Sequence, residues 1–539
     1  MTHINLRNYM PKRSKIRNIS PLIITIIIFL NTHFSFANNL SINQVSLEAR
    51  NPTSKTVIVE FDLSWENSWK TKINHDAIWV TVRLYDPSQS PTDKRLCELS
   101  NAGLNPSGTY VGSGSGVEID VPEDKKGAFI RPSSFGVFPS MQTTNVRLKI
   151  NYDSCGLESS DQAYVSVFGL EMVYVPEGAF YVGDYDTSSA ALDEGTSDNN
   201  PWYLASESTI SVSNPSSNGF RYVSAQNSGE DPTGLSFTIS EAYPKGYAPF
   251  YVMKYEITEG QWVEFSNSLS SFGARANRDL TNASHKNTDV ALKRNTISCS
   301  GSPLSCFSSR PARAVNFLTW MDLSAFLDWA ALRPMTELEF EKMSRGPLLP
   351  ESGEMAWGTT NITAATTISN GAETGAEAVN DSGANVNYNN IFFSGGDTAE
   401  GQQYQQGPLR SGIFATIGSN REQAGAGYYG GMELSGNLRE RAVTIGNSFG
   451  RSFTGEHGDG ILSTDPGFEG NANESNWPGM DGISTRGVTT ADGSGLRGGG
   501  WDEGFSRLRL SDRQDAANGT TAAFDNAGGR GVRSHDINH

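Results

Sequence analysis

Apolar and polar residues alternate over several stretches in the first third of the chain. In TVIVEFDLSW the apolar set is Val57, Val59, Phe61, Leu63 and Trp65; in AIWVTVRLY it is Ile78, Val80, Val82 and Leu84; in NVRLKINY it is Val146, Leu148, Ile150 and Tyr152. A repeat of two places such side chains on one side of a strand, so each stretch predicts a strand with one face buried. Gly, Pro, Ser and Asp fill the intervals, and residues 38–168 predict an all-β sandwich. The texture changes at Gly169. LEMVYVPEGAFYVGD predicts two paired strands joined by a Pro-Glu-Gly turn. TEGQWVEFSNSL opens with Thr258 and has Gln261 three residues on, a capping box, with Trp262, Phe265 and Leu269 on one helical face. TWMDLSAFLDWAAL places Leu323, Phe326, Leu327 and Ala330 together. In PMTELEFEKMSRG, Thr336 caps against Glu339, between Pro334 and Gly346. The rest is rich in Gly, Ser, Thr, Asn and Asp. It predicts a loop-heavy α+β domain over 169–539, with about 358–383 a low-complexity surface insertion.

Ahead of the sandwich, Arg7, Lys12, Arg13, Lys15 and Arg17 precede the apolar run PLIITIIIFL, and NTHFSFA ends at Ala37. That layout predicts a secretory signal peptide over 1–37 and an exported protein of the periplasm, cell surface or extracellular space. The apolar run is about ten residues, short for a bilayer, and no later stretch predicts a membrane span in the mature chain. The formal charge is −17, and the first 37 residues carry five basic and no acidic side chains, so the mature chain stands at −22. Such a chain repels phosphate backbones and is not expected to bind nucleic acid. Its carboxylates suit calcium, a hard cation with oxygen ligands. Export allows Cys97, Cys155, Cys299 and Cys306 to oxidise. Of three connectivities, their placement favours Cys97 with Cys155 and Cys299 with Cys306. No CxxC or His-rich cluster points to zinc.

EMVYVPEGAFYVGD, PFYVMKYEITEGQWVEF, RPARAVNFLTWMDLSAFLDWAALRPMTELEFEKMSRG, GGMELSGNLRER, LRGGGWDEG and GGRGVRS follow one another across about residues 169–534. In that order these blocks resemble the formylglycine-generating enzyme family, also called the sulfatase-modifying factor family. The resemblance implies a C-type-lectin-like fold with a small twisted sheet, two main helices and much irregular structure. Family members that oxidise a substrate cysteine bind copper(I) through two cysteines after the Gly-Gly-Ser block, and soft thiolates suit that ion. Here Asp502 or Glu503 stands near the first position and Ser506 or Arg507 near the second, and no cysteine follows Cys306. Copper is therefore not expected. Another branch resembling this domain uses histidines of an attached helical domain for iron-dependent sulfur chemistry. Only His285 and His457 lie within 169–534 and the helical partner is absent, so iron is not expected either. His457, in GEHGDG, reads as a loop residue. No Gly-x-Ser-x-Gly elbow is paired with a placed histidine, and the adjacent acids Asp502 and Glu503, in a polar loop, have no evident cause for shifted pKa values.

ELSGNLRE, Glu433 to Glu440, matches a calcium loop of the family. The resemblance implies four ligands: the Glu433 side chain, the carbonyls of Gly436 and Leu438, and the Glu440 carboxylate. A tight Gly turn lets such oxygens converge on one hard cation. The alternative is an ordinary salt bridge from Arg439 or Arg441 to Glu440. After the triple glycine, Trp501, Asp502, Glu503, Phe505, Arg507, Arg509, Asp512, Arg513 and Gln514 are of the kind that binds ligands, Arg through bidentate donors and Phe through stacking area. In SRLRLSDR, Leu508 and Leu510 alternate with Arg507 and Arg509, which predicts a strand with its leucines inward; Arg513, Arg530 and Arg533 are equally open to pairing with internal acids. Variable proteins of diversity-generating retroelements use the same lectin-like fold, and their varied residues lie in the block corresponding to WDEGFSRLRLSDRQDAANGTTAAFDNAGGRGVR. The expected function is a non-catalytic ligand-binding or envelope scaffold protein whose partner is a protein or glycan at the cell surface. The alternatives are a metal-dependent oxidase of the same family and a retroelement-diversified binding protein.

Overall fold

The strand Asp76–Tyr85 is buried on both faces, and this fixes the layering of the molecule. Ile78, Val80, Val82 and Leu84 enter one core with Val57, Val59, Phe61, Leu63, Trp65, Val146, Leu148 and Ile150. Ala77 and Trp79 point the other way, into a second core with Phe326 and Trp329. The polar members of that second face are internal as well: Thr81 and Arg83 are buried, and the Arg83 guanidinium lies 3.9 Å from the Trp329 ring centroid. The expectation of one buried face is thus corrected, because a helix covers the side that the polar residues mark as outward. The computed structural model describes residues 33–34 and 39–534, except 87–93, 113–114, 186, 196–199, 214–218, 284, 286–292, 370–376, 395–405 and 417. The expected signal segment lies outside the described residues, apart from the short strand His33–Phe34.

Two sheets enclose the first core. One runs in the order His33–Phe34, Ser41–Asn51, Thr56–Lys70, Gly136–Asn151, Glu98–Leu99. The other is nine-stranded, and Tyr164–Val175 lies at its centre. That strand pairs with Asp76–Tyr85 from Tyr164 to Val173, and with Phe250–Met253 from Met172 to Val175. The division expected at residue 168 falls inside it, and the sheet continues through Gly531–Ser534 to Arg333–Pro334. Because both its edges are occupied, Tyr164–Val175 does not pair with Phe180–Val182, contrary to the expected strand pair; Phe180–Val182 pairs with Trp202–Leu204 instead.

Helices cover the far face of the sheet. They are α1 (Glu259–Ser268), α2 (Phe272–Asn277), α3 (Trp320–Trp329) and α4 (Glu337–Arg345). Capping boxes start three of them, Thr258 with Gln261, Thr319 with Asp322 and Thr336 with Glu339; a cap of this kind contributes about 1 kcal/mol. Phe265 of α1 meets Phe326 of α3 edge to face at 5.7 Å. Cys97 joins Cys155, and Cys299 joins Cys306 across the hairpin Ile297–Ser300 and Ser305–Ser308. The fold is a β-rich α+β arrangement. Among the described residues no helix is long and apolar enough to cross a membrane. The insertion expected at 358–383 supplies Ala365 and Ile368 to a satellite core with Phe393, Leu409, Ile413 and Phe414.

Candidate functional site

A three-stranded sheet, Ser494–Arg497, Arg439–Val443 and Ala527–Gly528 in that order, brings the two expected site segments together. The chain leaves Ser494–Arg497 through Gly498 and Gly499, with φ of 81° and 67°. A Cβ on Gly498 would stand 2.5 Å from the Leu434 carbonyl oxygen, and one on Gly499 would stand 3.0 Å from that of Arg507. Glycine is required here because backbone passes against backbone. Gly436 donates from its N–H to the Gly498 carbonyl at 2.9 Å, which ties the 433–440 loop to the rim.

The nine rim residues divide into anchors and exposed heads. Trp501 is buried against Ala314 and Leu438 and donates from Nε1 to the Asp525 carbonyl. Arg513 is enclosed and holds Glu337 through Nε at 2.6 Å and Nη2 at 3.1 Å. Leu508 and Leu510 are buried as expected, but Phe505–Leu508 forms a turn of 3-10 helix rather than a strand. The cause is that the backbone beyond it bonds to separate loops, Leu510 N to Glu354 O and Arg513 N to Ser189 O, and no ladder forms. Phe505 is 54% exposed, and the Arg509 guanidinium lies 5.3 Å from its ring. Asp502 accepts from Asn526, and Gln514 presents its carbonyl to Asn227.

Glu503, Arg507 and Asp512 line a small polar hollow with Arg439, Arg497 and Asp515. Its ion pairs are long: Arg507 to Asp512 at 3.6 Å and to Asp515 at 3.7 Å, Arg439 to Glu503 at 3.7 Å. Burial raises the Glu503 carboxyl against the pull of Arg439, and burial raises Asp512 against Arg507. The expectation of an unperturbed Glu503 is therefore corrected, since the side chain is enclosed. Arg439 and Asp515 went unread in the sequence. The first looked like a counter-ion for Glu440 and the second like one more loop acid.

In the 433–440 loop, Glu440 is fully buried and is held by neither Arg439 nor Arg441. Its Oε1 accepts from Arg530, Nε at 2.6 Å and Nη2 at 2.5 Å. Arg530 also donates to the carbonyls of Met432, Lys254 and Met253. Arg441 donates instead to the carbonyls of Leu318 and Ala522. Glu433 is buried at φ 53°, and its Oε1 accepts from Gly412 N at 2.7 Å. Glu256 joins them, accepting from Leu438 N at 2.9 Å and Asn437 Nδ2 at 2.5 Å. Burial raises all three carboxyls. Glu433 is pushed up to about 7, and Glu256 lies well above its ordinary range, further lifted by Glu440 and Glu433. Two oxygens, Glu433 Oε2 and Glu440 Oε2, are buried with no hydrogen-bond partner among the described residues. They belong to the two side chains the loop motif marks as ligands, so the donor set fits a hard divalent cation in charge and in atom type.

A second acidic group was not read from the sequence. Asp328 of α3, Asp459 and Glu474 each bring a carboxylate oxygen within 4.8 Å of the others. Asp328 is buried and accepts from the backbone N–H groups of Asp459 and Asn473. Burial, with Asp459 and Glu456 near by, pushes Glu474 up to about 7. The GDG of GEHGDG was the available signal, but its acidic partner Asp328 lies on a distant helix. His457 in the same stretch is buried and accepts from Ser534 N at 2.8 Å; burial, then Arg533 and Arg333, holds its pKa well below the usual range.

No family model and no curated protein matches the chain. Among solved structures it is similar to Treponema denticola variable protein 1, at 12% identity over 68% of this chain and 96% of that one, with a TM-score of 0.29. A likeness of that size carries neither fold nor function.

Proposed function

We propose that this chain is an exported, non-catalytic ligand-binding protein built on a C-type-lectin-like domain of the formylglycine-generating enzyme type. Its ligand is a protein or glycan surface, met by the rim around Phe505, Arg507 and Arg509. The observation that carries the reading is the division of the rim. Those three heads are wholly or partly exposed, while Trp501, Leu508, Leu510 and Arg513 fix the backbone beneath them. A fixed backbone with projecting aromatic and guanidinium groups loses little conformational freedom on binding. Thiolate chemistry has no residue to run on, because all four cysteines are in disulfides.

Calcium belongs to the same reading as a structural ion, held by Glu433, Glu440 and the carbonyls of Gly436 and Leu438. Bound there, it supplies the positive charge that the buried carboxylates lack. The test of binding compares the mature chain with a Phe505→Ala, Arg507→Ala, Arg509→Ala triple variant on a glycan array and on solubilised envelope proteins. Capture by the parent that the folded triple variant loses supports the rim. Equal capture by both, or none by either, rejects it.

A further inference from the structure

The carboxylates around the 433–440 loop are neutralised only in part, and the remainder can be counted. Glu256, Glu433 and Glu440 are all buried, as is Arg530. Arg530 is the cation bonded to this group, through Glu440. Arg410, the other arginine that acts on Glu433, is engaged by Glu377 at 3.2 Å. With a cation bound and all three carboxyls ionised, one guanidinium against three carboxylates leaves two negative charges in a region closed to water. The unpartnered Glu433 Oε2 and Glu440 Oε2 are where that deficit lies. Arg530 is spread over one side of the group, on Glu440 Oε1 and on the carbonyls of Met432, Lys254 and Met253. It leaves the second oxygen of Glu440 free.

We propose that Arg530 is the specificity residue of the loop. By cancelling one of three buried charges it sets the site to a divalent ion, and without it the site prefers a trivalent one. The inference rests on the calcium reading above and reaches beyond it, to why two charges and not three. At low dielectric one added unit of unbalanced charge outweighs small differences in ion size, so charge decides the selection. The fixed guanidinium fork suits this task because it cannot lose its proton.

The test is titration of the metal-stripped mature chain with calcium alone and with terbium alone, ions of similar size and oxygen preference but different charge. Heat and terbium luminescence are the readouts. In Arg530→Gln the affinity ratio of terbium to calcium is expected to rise by roughly tenfold or more over the parent. In Arg530→Lys, which keeps the charge, the ratio is expected to stay within about threefold of the parent, a shift worth well under 1 kcal/mol. Should Arg530→Gln fail to fold, the double variant Glu440→Gln, Arg530→Gln removes both partners and returns the remaining charge to two. It is expected to restore the parent's ratio, since the Gln oxygen still serves as a ligand. An unchanged ratio in Arg530→Gln, an equal rise in Arg530→Lys, or a raised ratio in the double variant overturns the proposal while leaving calcium in place. A parent chain that takes up neither ion overturns the calcium reading itself.

Discussion

Two groups of buried carboxylates in this molecule are balanced in opposite ways. Around α4, Glu337, Glu339, Glu341 and Glu354 meet Arg333, Arg345, Arg497 and Arg513 in equal number, at distances such as 2.6 Å for Arg333 to Glu339 and 2.7 Å for Arg497 to Glu341. Around the 433–440 loop, Glu256, Glu433 and Glu440 share Arg530. Both groups are fully enclosed, yet Glu337 of the first and Glu433 of the second respond differently. Burial pushes Glu337 up, but Arg513 and Arg497 overcome it and its pKa is lowered. Glu433 has no such partner and rises to about 7. Burial alone always disfavours the charged form, and a close opposite charge or hydrogen bonds to the charged form are needed to reverse it. The first group is therefore a finished part of the frame, and the second is short of positive charge.

The largest effect is expected in the balanced group. Arg513→Met takes from Glu337 the closer of its two guanidinium partners, leaving Arg497 at 3.1 Å, and is expected to cost roughly 3–5 kcal/mol in urea unfolding, with much of it recovered when Glu337→Met is added. A cost below about 1 kcal/mol would show that the pair is not part of the frame. The next effect is on the loop. Calcium at a hundredfold its Kd is expected to stabilise the parent by about 2.7 kcal/mol and to leave Glu433→Gln nearly unmoved. In chelator the order reverses, and Glu433→Gln is expected to match or exceed the parent, because a buried charge without a partner has been removed.

A smaller effect concerns pH. Glu474, raised from 4.5 to about 7, binds more protons in the folded chain than in the unfolded one between those values. In chelator the stability then falls as pH rises through that window, and Glu474→Gln is expected to flatten the fall. An identical slope in both proteins contradicts the placement of Glu474 beside Asp328 and Asp459. The smallest effect is at the rim. Phe505→Ala and Arg509→Ala are each expected to change stability by no more than about 0.5 kcal/mol, as befits surface groups.

What could be read from the sequence follows the range of the interactions. The starts of α1, α3 and α4 were legible because each capping box lies within four residues, Thr258 to Gln261 for example. Asp76–Tyr85 was read on one face only, since Thr81 and Arg83 look outward until Trp329 of α3 packs on the Arg83 guanidinium, which in turn donates to Thr81. The alternation of Leu508 and Leu510 gave their burial but not their backbone, which is set by partners in distant loops. At Arg513 and Glu440 the residue types were legible and the partners were not. Glu337 and Arg530 reach them from far along the chain, and no local pattern marks those pairings.

The most direct measurement is the metal content of mature protein purified from an oxidising compartment without chelator, with thermal melting before and after chelation. The account predicts bound calcium, and a melting temperature that drops when it is stripped and returns when it is restored. Protein that carries no calcium and melts unchanged in chelator would contradict it. Stoichiometric copper or iron would contradict it further, by returning catalysis to a rim read here as a binding surface.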